Sequence, residues 1–506
     1  MKRHSLRLLD VTTPPSRALA RAITTSPSRG PRLAALSVGA WLAATTLGGC
    51  LDTRQGQVGV EQSDASDVAD ARDDADLRDT AVGPDTALTD TTFDTSGPDA
   101  CRLVTDPRTL EGSQTITMSD LERGNARFVD PLTLVGTRNQ VDERGVSRSS
   151  IVAVELPSGA ARTLVSGPGN MRLADARDGA LLGFAESVDT KTLELFYAEV
   201  GAGPSTPKTL LTMDWSGGSI STTPGIWAFD DATHAVERGL AAWAEHVQTV
   251  NPVHRVRLYR AGAGGGALRT LVESPTWVGA PVVHRGRVLW SRQDQPTTLW
   301  VHDAERDRTE QVTSVTNLGG YTLSDDAAWW LDEGRVFRKA FDGSEARTVE
   351  AGPCAMLVAD GNVAAAVCGP EAKSDWLFAT GQPVAFVAGA KVPLGTFTTG
   401  EARLVASLTV RGDLVAWLEY PLEAACDGRP DVVGDLVITT LSGALSGARP
   451  TRLTGTKSGC WCCNAIWPAA HVDLTARALT WNYPLDTDEY PYDAIGVGWF
   501  PAQCAP

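Results

Sequence analysis

Three cysteines stand within four residues in the stretch "SGCWCCNAIW": Cys460, Cys462 and Cys463. Thiols that close invite three chemistries: a zinc site, a redox dithiol, or a structural staple. Structural zinc sites usually draw on two separated Cys or His pairs. Here the cramped group would need Cys426 or His471 as its fourth ligand. Cys460 and Cys463 have the Cys-x-x-Cys spacing of a dithiol, but that motif works in a βαβ setting and the surroundings here are strand-like. A second candidate is "DTDEYPYD", where Asp486, Asp488, Glu489 and Asp493 supply oxygens at a density that suits calcium, against the plainer reading of a hairpin loop. His234, His246, His254, His284 and His302 are scattered and read as surface histidines rather than a metal centre. No G-x-S-x-G occurs in residues 101–506, so a nucleophile elbow is missing. No catalytic residue is assigned, and no cofactor is expected beyond zinc or calcium as rivals to the plainer readings.

The compartment decides what the thiols do. A basic stretch (Lys2, Arg3, Arg7, Arg17, Arg21, Arg29, Arg32) precedes an apolar run from Leu33 to Leu47 and then "LGGC". That is the n-region, h-region and small-residue order of an export signal. A run of about 15 residues is short for a membrane span, which needs about 20. Leu47, Gly48, Gly49 and Cys50 resemble the lipobox of bacterial lipoproteins. The resemblance implies cleavage before Cys50, which becomes a lipidated N-terminal cysteine; residues 1–49 are then the signal peptide.

Residues 51–100 are rich in Asp, Ala and Thr, nearly free of aromatics, and carry a net charge of −10. Such a segment cannot bury enough apolar surface to offset the entropy of ordering. With Cys50 it is expected to be a disordered tether. Residues 1–50 carry +6, which leaves −12 for residues 101–506 out of a total of −16. A folded part that acidic has no basic footprint for nucleic acid.

Residues 101–506 repeat one unit every 40 to 60 residues. Its first landmark is a turn and an apolar strand: "DGALLGF", "ERGLAAW", "HRGRVLW", "SDDAAWW", "DGNVAAAVC", "RGDLVAW" and "TARALTW". Its second is a strand with aromatics, such as "LELFYAE", "RVRLYRA" and "TTLWVHDA", and its third an "RTL"-like strand, as in "ARTLV" and "LRTLV". Short β-branched and aromatic runs bounded by Gly, Asp and Asn are strands. Four such strands per unit, repeated about eight times, make an all-β chain folded as a β-propeller. Eight blades are expected, with seven the other count, because the first unit (Asn125 to Val165) has a weak second strand. Trp and Phe at strand ends should pack between blades; a sugar-stacking platform would need several of them exposed on one face.

The last unit lacks an "RTL" strand, and Arg108, Thr109 and Leu110 in "CRLVTDPRTLEG" match the missing piece. An N-terminal strand completing the last blade would close the ring and remove exposed edges. The unit is similar to the propeller repeats of periplasmic TolB-like proteins and of dipeptidyl peptidases, with "SPDG" reduced to "SDD", "RG" or "DG". The resemblance implies the fold and no activity.

Outside the cytoplasm the eight cysteines other than Cys50 are free to form disulfides. Cys354 and Cys368 lie seven residues either side of Gly361 in the hairpin turn "ADGN" and are expected to face each other as a bridge. Cys101 and Cys504 flank the two closing segments and are expected to form a clasp around a loop of about 400 residues, worth about 5 kcal/mol in the entropic account. Cys426 then pairs with one of Cys460, Cys462 and Cys463, leaving two for a vicinal bridge.

The expected protein is a lipoprotein of the bacterial cell envelope, held to the membrane by its lipid, with the propeller in the periplasm or on the cell surface. Leu51 after the lipidated residue favours the outer membrane by analogy with the lipoprotein family. The propeller is read as a non-catalytic binding or scaffold module for a protein or glycan. The alternative is a propeller enzyme, a glycan lyase or hydrolase, whose His, Arg and acid side chains converge from several blades at the channel mouth.

Overall fold

The computed structural model describes residues 104–105, 126–141, 147–187 (but for 157 and 168), 191–214, 234–247, 251–375 (but for 263 and 264), 378–395, 403–421, 432–458, 472–483 and 494–499. Among these residues the chain forms six four-stranded antiparallel sheets, one eight-stranded sheet that divides into two groups of four, and one short helix, Leu441–Leu445. We number the sheets as blades 1 to 8: residues 127–165, 170–214, 234–274, 282–315, 318–350, 354–393, 403–458 and 472–499. Blades 6 and 7 are also joined to each other, where Ala379 and Thr380 pair with Val405 and Leu404.

Blade 8 takes its fourth strand from the N-terminal side of the chain: Val104 pairs with Trp499 and Thr105 with Gly498. The paired residues lie four positions before the Arg108–Leu110 motif that marks the segment in the sequence, and that motif lies outside the described residues. The innermost strands contact one another in cyclic order. Each touches the next, and that of blade 8 (Val472–Leu474) touches that of blade 1 (Arg127–Asp130). The chain is an eight-bladed β-propeller.

The second strand of each blade explains why the apolar landmarks do not alternate. Leu240–Ala244 in blade 3 and Leu414–Leu418 in blade 7 are buried throughout. A sheet covered by neighbours on both faces needs apolar side chains on both. The core therefore lies between consecutive blades. Trp243 packs with Leu182 and Tyr197 of blade 2, and Trp290 with Leu258 of blade 3, while Trp417 packs with Val392 and Leu394 at the end of blade 6. Full burial of such side chains contributes about 1.5–3 kcal/mol each.

Two buried acids reinforce this packing. Trp243 donates its indole N–H to Glu245 at 3.0 Å, and Trp417 donates to Glu419 at 2.8 Å. Glu245 is met by Arg257 at 3.4 Å and Glu419 by Arg452 at 2.5 Å. The same Trp-x-Glu device thus recurs in blades 3 and 7.

The turn between first and second strands is short in every blade, two or three residues throughout. Asp178–Gly179 and Arg285–Gly286 both sit at positive φ (49° and 80°, 46° and 75°), the paired left-handed conformation that suits a two-residue hairpin. These turns surround one end of the channel. The opposite face carries the long connections by sequence, since the strand ends at 214 and 234, 421 and 432, 458 and 472, and 483 and 494 all lie there. One face is thus plain around the channel mouth, although its rim carries the 441–450 connection with the helix, and the other is the elaborated one.

Candidate functional site

On the plain face the last residue of each inner strand, or the turn beside it, points its chemistry at the channel mouth. In order round the ring these residues are Asp130, Arg177, Glu237, His284, Asp325, Asp360, Arg411 and Leu474. Blades 2 and 6 stand opposite one another in a ring of eight. Arg177 nevertheless reaches Asp360, with Nη2 at 2.9 Å from Oδ1. The ion pair spans the channel.

Other groups converge on that span. Arg411 of blade 7 donates Nη1 to the same Asp360 oxygen at 2.7 Å and Nε to the carbonyl of Leu474 in blade 8 at 3.2 Å. Arg177 Nη2 is 3.3 Å from His284 Nδ1, and His284 Nε2 is 2.6 Å from Asp325 Oδ1, which also holds Arg285 at 2.9 Å. Glu237 accepts the backbone N–H groups of Arg285 and Gly286. The result is one connected network over blades 2 to 8, whose charged groups are each held by a partner. The elements explain it: an inner strand ends in a tight turn, so its last side chain faces the axis.

Neighbouring inner strands are also tied by side-chain oxygens that accept backbone N–H groups. Asp473 accepts from Phe128 across the blade 8–1 seam, and Asp175 from Val236 across the blade 2–3 seam. Burial raises the Asp175 carboxyl above its ordinary pKa, against the lowering pull of Arg127, Arg177 and two N–H donors.

Beside this mouth, between blades 4 and 5, a pocket of about 520 Å³ opens near Arg287, Asp326, Arg338 and Phe341. Two of its three arginines are engaged: Arg338 pairs with Asp326, and Arg287 lies 4.4 Å over the Phe341 ring.

The elaborated face has a different character. His246 and His254 stand opposite each other on adjacent strands of blade 3, with their Nδ1 atoms 3.0 Å apart. Trp277, in the connection to blade 4, stacks on His246 with centroids 3.6 Å apart and planes 7° apart. Burial and the neighbouring His254 depress the pKa of His246 to about 4, and burial lowers that of His254. Trp277 remains 41% exposed, the one strongly exposed aromatic among the described residues. The strand-end aromatics instead pack between blades, so a platform of several rings does not form among the described residues.

The five histidines correct the sequence-based expectation. All are buried rather than on the surface, and they fall in two adjacent blades: His234, His246 and His254 in blade 3, His284 and His302 in blade 4. Among the described residues no group of three or more His, Cys, Asp or Glu side chains could hold a metal ion. Cys354 and Cys368 are opposed in register and joined by a disulfide. Cys50, Cys101, Cys426, Cys460, Cys462, Cys463 and Cys504, and the calcium candidates Asp486, Asp488, Glu489 and Asp493, lie outside the described residues.

The mouth network was not assembled from the sequence, although its members open the repeat landmarks. Glu237 begins "ERGL", His284 begins "HRGR", Asp360 begins "DGNV" and Arg411 begins "RGDL". Aligning the residue before each turn would have shown a column of charges.

No protein-family model matches the chain, and no curated protein matches it. Solved structures do resemble it. The β-propeller domain of the Trilobed protease from Pyrococcus furiosus is 10% identical with a TM-score of 0.38, over 66% of this chain and 98% of that one. TolB from Acinetobacter baumannii is 12% identical with a TM-score of 0.31, over 65% of this chain and 82% of that one. BamB from Moraxella catarrhalis is 11% identical with a TM-score of 0.29, over 58% of this chain and 80% of that one.

Proposed function

We propose that this chain is an envelope lipoprotein whose propeller is a non-catalytic binding module that works through its elaborated face. The supporting observation is the Arg177–Asp360 pair across the channel mouth. An active site at that mouth would need acids, histidines or arginines free to meet a substrate. Here Arg177, His284, Asp325, Asp360 and Arg411 are engaged with one another. With the groups at the channel mouth engaged in this way, recognition is assigned to the opposite face, where the long connections leave the wheel and where Trp277 is exposed.

Cleavage before Cys50, lipidation of that residue and an acidic tether over residues 51–100 would hold the wheel away from a membrane surface. No helix among the described residues is long and apolar enough to cross a membrane. The outer membrane is the proposed location.

Gln295 and Glu305 provide the test, because they are exposed on opposite faces of the same blade. A photo-crosslinking residue placed at either position in cells should give adducts from Gln295 and none from Glu305. Adducts confined to Glu305, or none from Gln295, would overturn the assignment of the binding face.

A further inference from the structure

The seat of Trp277 is unusually well fixed for a residue in a connection. Its carbonyl accepts the Gln293 N–H at 2.8 Å, and the next residue, Val278, bridges to Arg292 of blade 4. One indole face is covered by His246. The buried tryptophans Trp243, Trp329 and Trp417 donate their indole N–H groups within the fold and Trp290 and Trp481 do not, whereas that of Trp277, also without a hydrogen bond among the described residues, belongs to an exposed ring. A flat apolar surface is therefore presented to solvent in a set orientation, with a donor at its edge.

A polar strip runs beside it. Ser274 Oγ and Thr276 Oγ1 are 2.7 Å apart, and Thr276 donates to Asp294 Oδ1 at 3.2 Å. Asp294 Oδ2 accepts from Arg292 Nε and from Thr298 at 2.9 Å. Burial alone would raise the Asp294 carboxyl, but hydrogen bonds from Arg292 and Thr298 and the guanidinium charge outweigh it and hold the group ionised. Oδ1 of Asp294 has one donor and keeps a lone pair. The terminal nitrogens of Arg292 are not engaged among the described residues, while its guanidinium leans over Trp300 at 5.3 Å.

From this juxtaposition we infer that Trp277, with Thr276, Asp294 and Arg292 beside it, is a subsite for one pyranose ring of a glycan. A pyranose has an apolar C–H face that an aromatic ring covers, and hydroxyls at its rim that pair with carboxylates and guanidinium groups. A protein partner fits less well. The hydrophobic centre of a protein interface needs several apolar anchors, and the other large exposed apolar side chains among the described residues, Leu268 and Leu445, belong to blade 3's outer strand and to the helix of blade 7. One rigid ring with a polar fringe suits one sugar unit. Rigidity also lowers the ordering cost of binding.

This inference rests on the elaborated face being the binding face, and the two can fail separately. The experiment titrates the purified protein with soluble oligosaccharides of glucose, galactose, mannose and N-acetylglucosamine, read by calorimetry and tryptophan fluorescence. Saturable binding to at least one, weakened about tenfold or more by Trp277→Ala and retained within about threefold by Trp277→Phe, is expected. Asp294→Asn should weaken the same ligand with thermal stability monitored in parallel. If no saccharide binds, or if Trp277→Ala binds as well as the unaltered protein, the sugar subsite is wrong. Gln295 adducts in cells would then show that the binding face still stands, and their absence would remove both.

Discussion

Arg177 and Asp360 meet at 2.9 Å although their blades face each other across the full ring. The pair acts on the ring as a whole, because it joins strands that share no sheet and no hydrophobic seam. Both side chains are largely sheltered, at 24% and 15% exposure. Removing one partner of such a pair leaves a charge poorly solvated, which costs more than the pair contributes.

Asp360→Ala removes the acid shared by two guanidinium groups, leaving Arg177 with Asp178 at 3.3 Å and Arg411 with the Leu474 carbonyl. A loss of about 1–3 kcal/mol is expected, seen as a lower denaturation midpoint. The double variant Arg177→Met, Asp360→Leu should recover part of it. If Asp360→Ala melts with the unaltered protein, the span contributes nothing to the ring.

Glu419 is 1% exposed, between the Trp417 indole and Arg452. Glu419→Leu should cost about 3–5 kcal/mol, since it leaves Arg452 with the more distant Asp435, at 3.4 Å, as its charge partner. Glu245→Leu should behave alike in blade 3, where Arg257 and Arg255 lose their shared acid. Thermal melts of the two variants check whether the recurring device carries equal weight in opposite blades.

The buried His246 gives a pH signature. Its folded pKa of about 4 lies below its ordinary 6.5, so the unfolded chain takes up this proton first as pH falls. The associated stability is fully present above about pH 6.5 and is lost as pH falls towards 4. His246→Gln should flatten the dependence of melting temperature on pH within that window. An unchanged slope would show that His246 does not titrate as its burial requires.

Cys354 and Cys368 close a loop of 14 positions. Their removal as a Ser pair should cost about 3 kcal/mol on the entropic account. Peptide mapping without reduction should recover Cys354 linked to Cys368 and, by the proposed clasp, Cys101 linked to Cys504. Free thiol at Cys101 would break the clasp, and fatty-acid labelling that survives Cys50→Ala would end the lipid anchor.

The fold was legible because its signals are local. Short turns between first and second strands recur in every blade, as at Asp178–Gly179, and so do apolar second strands such as Leu240–Ala244. The hairpin arithmetic about Gly361 likewise needs only neighbouring residues, and it puts Cys354 opposite Cys368. The site was not legible for the opposite reason. Arg177 and Asp360 are 183 positions apart, and His284 joins them from a third blade. A charged residue before the turn marks these positions, but nothing in the local sequence says which blades their side chains join. Trp277 lies in a connection, outside every landmark, and only its stacking on His246 and its exposure set it apart.

Among the described residues, the strand that completes blade 8 from the N-terminal side is Val104 and Thr105. They are also where the folded wheel joins everything N-terminal to it in the sequence. With the proposed Cys101–Cys504 clasp reduced, a mechanical load drawn along that leading segment reaches the described residues of the wheel first at Val104. A tug from one end and a grip on the elaborated face would therefore concentrate tension on a single short ladder. Opening under force should begin in blade 8, with the other blades still folded behind it.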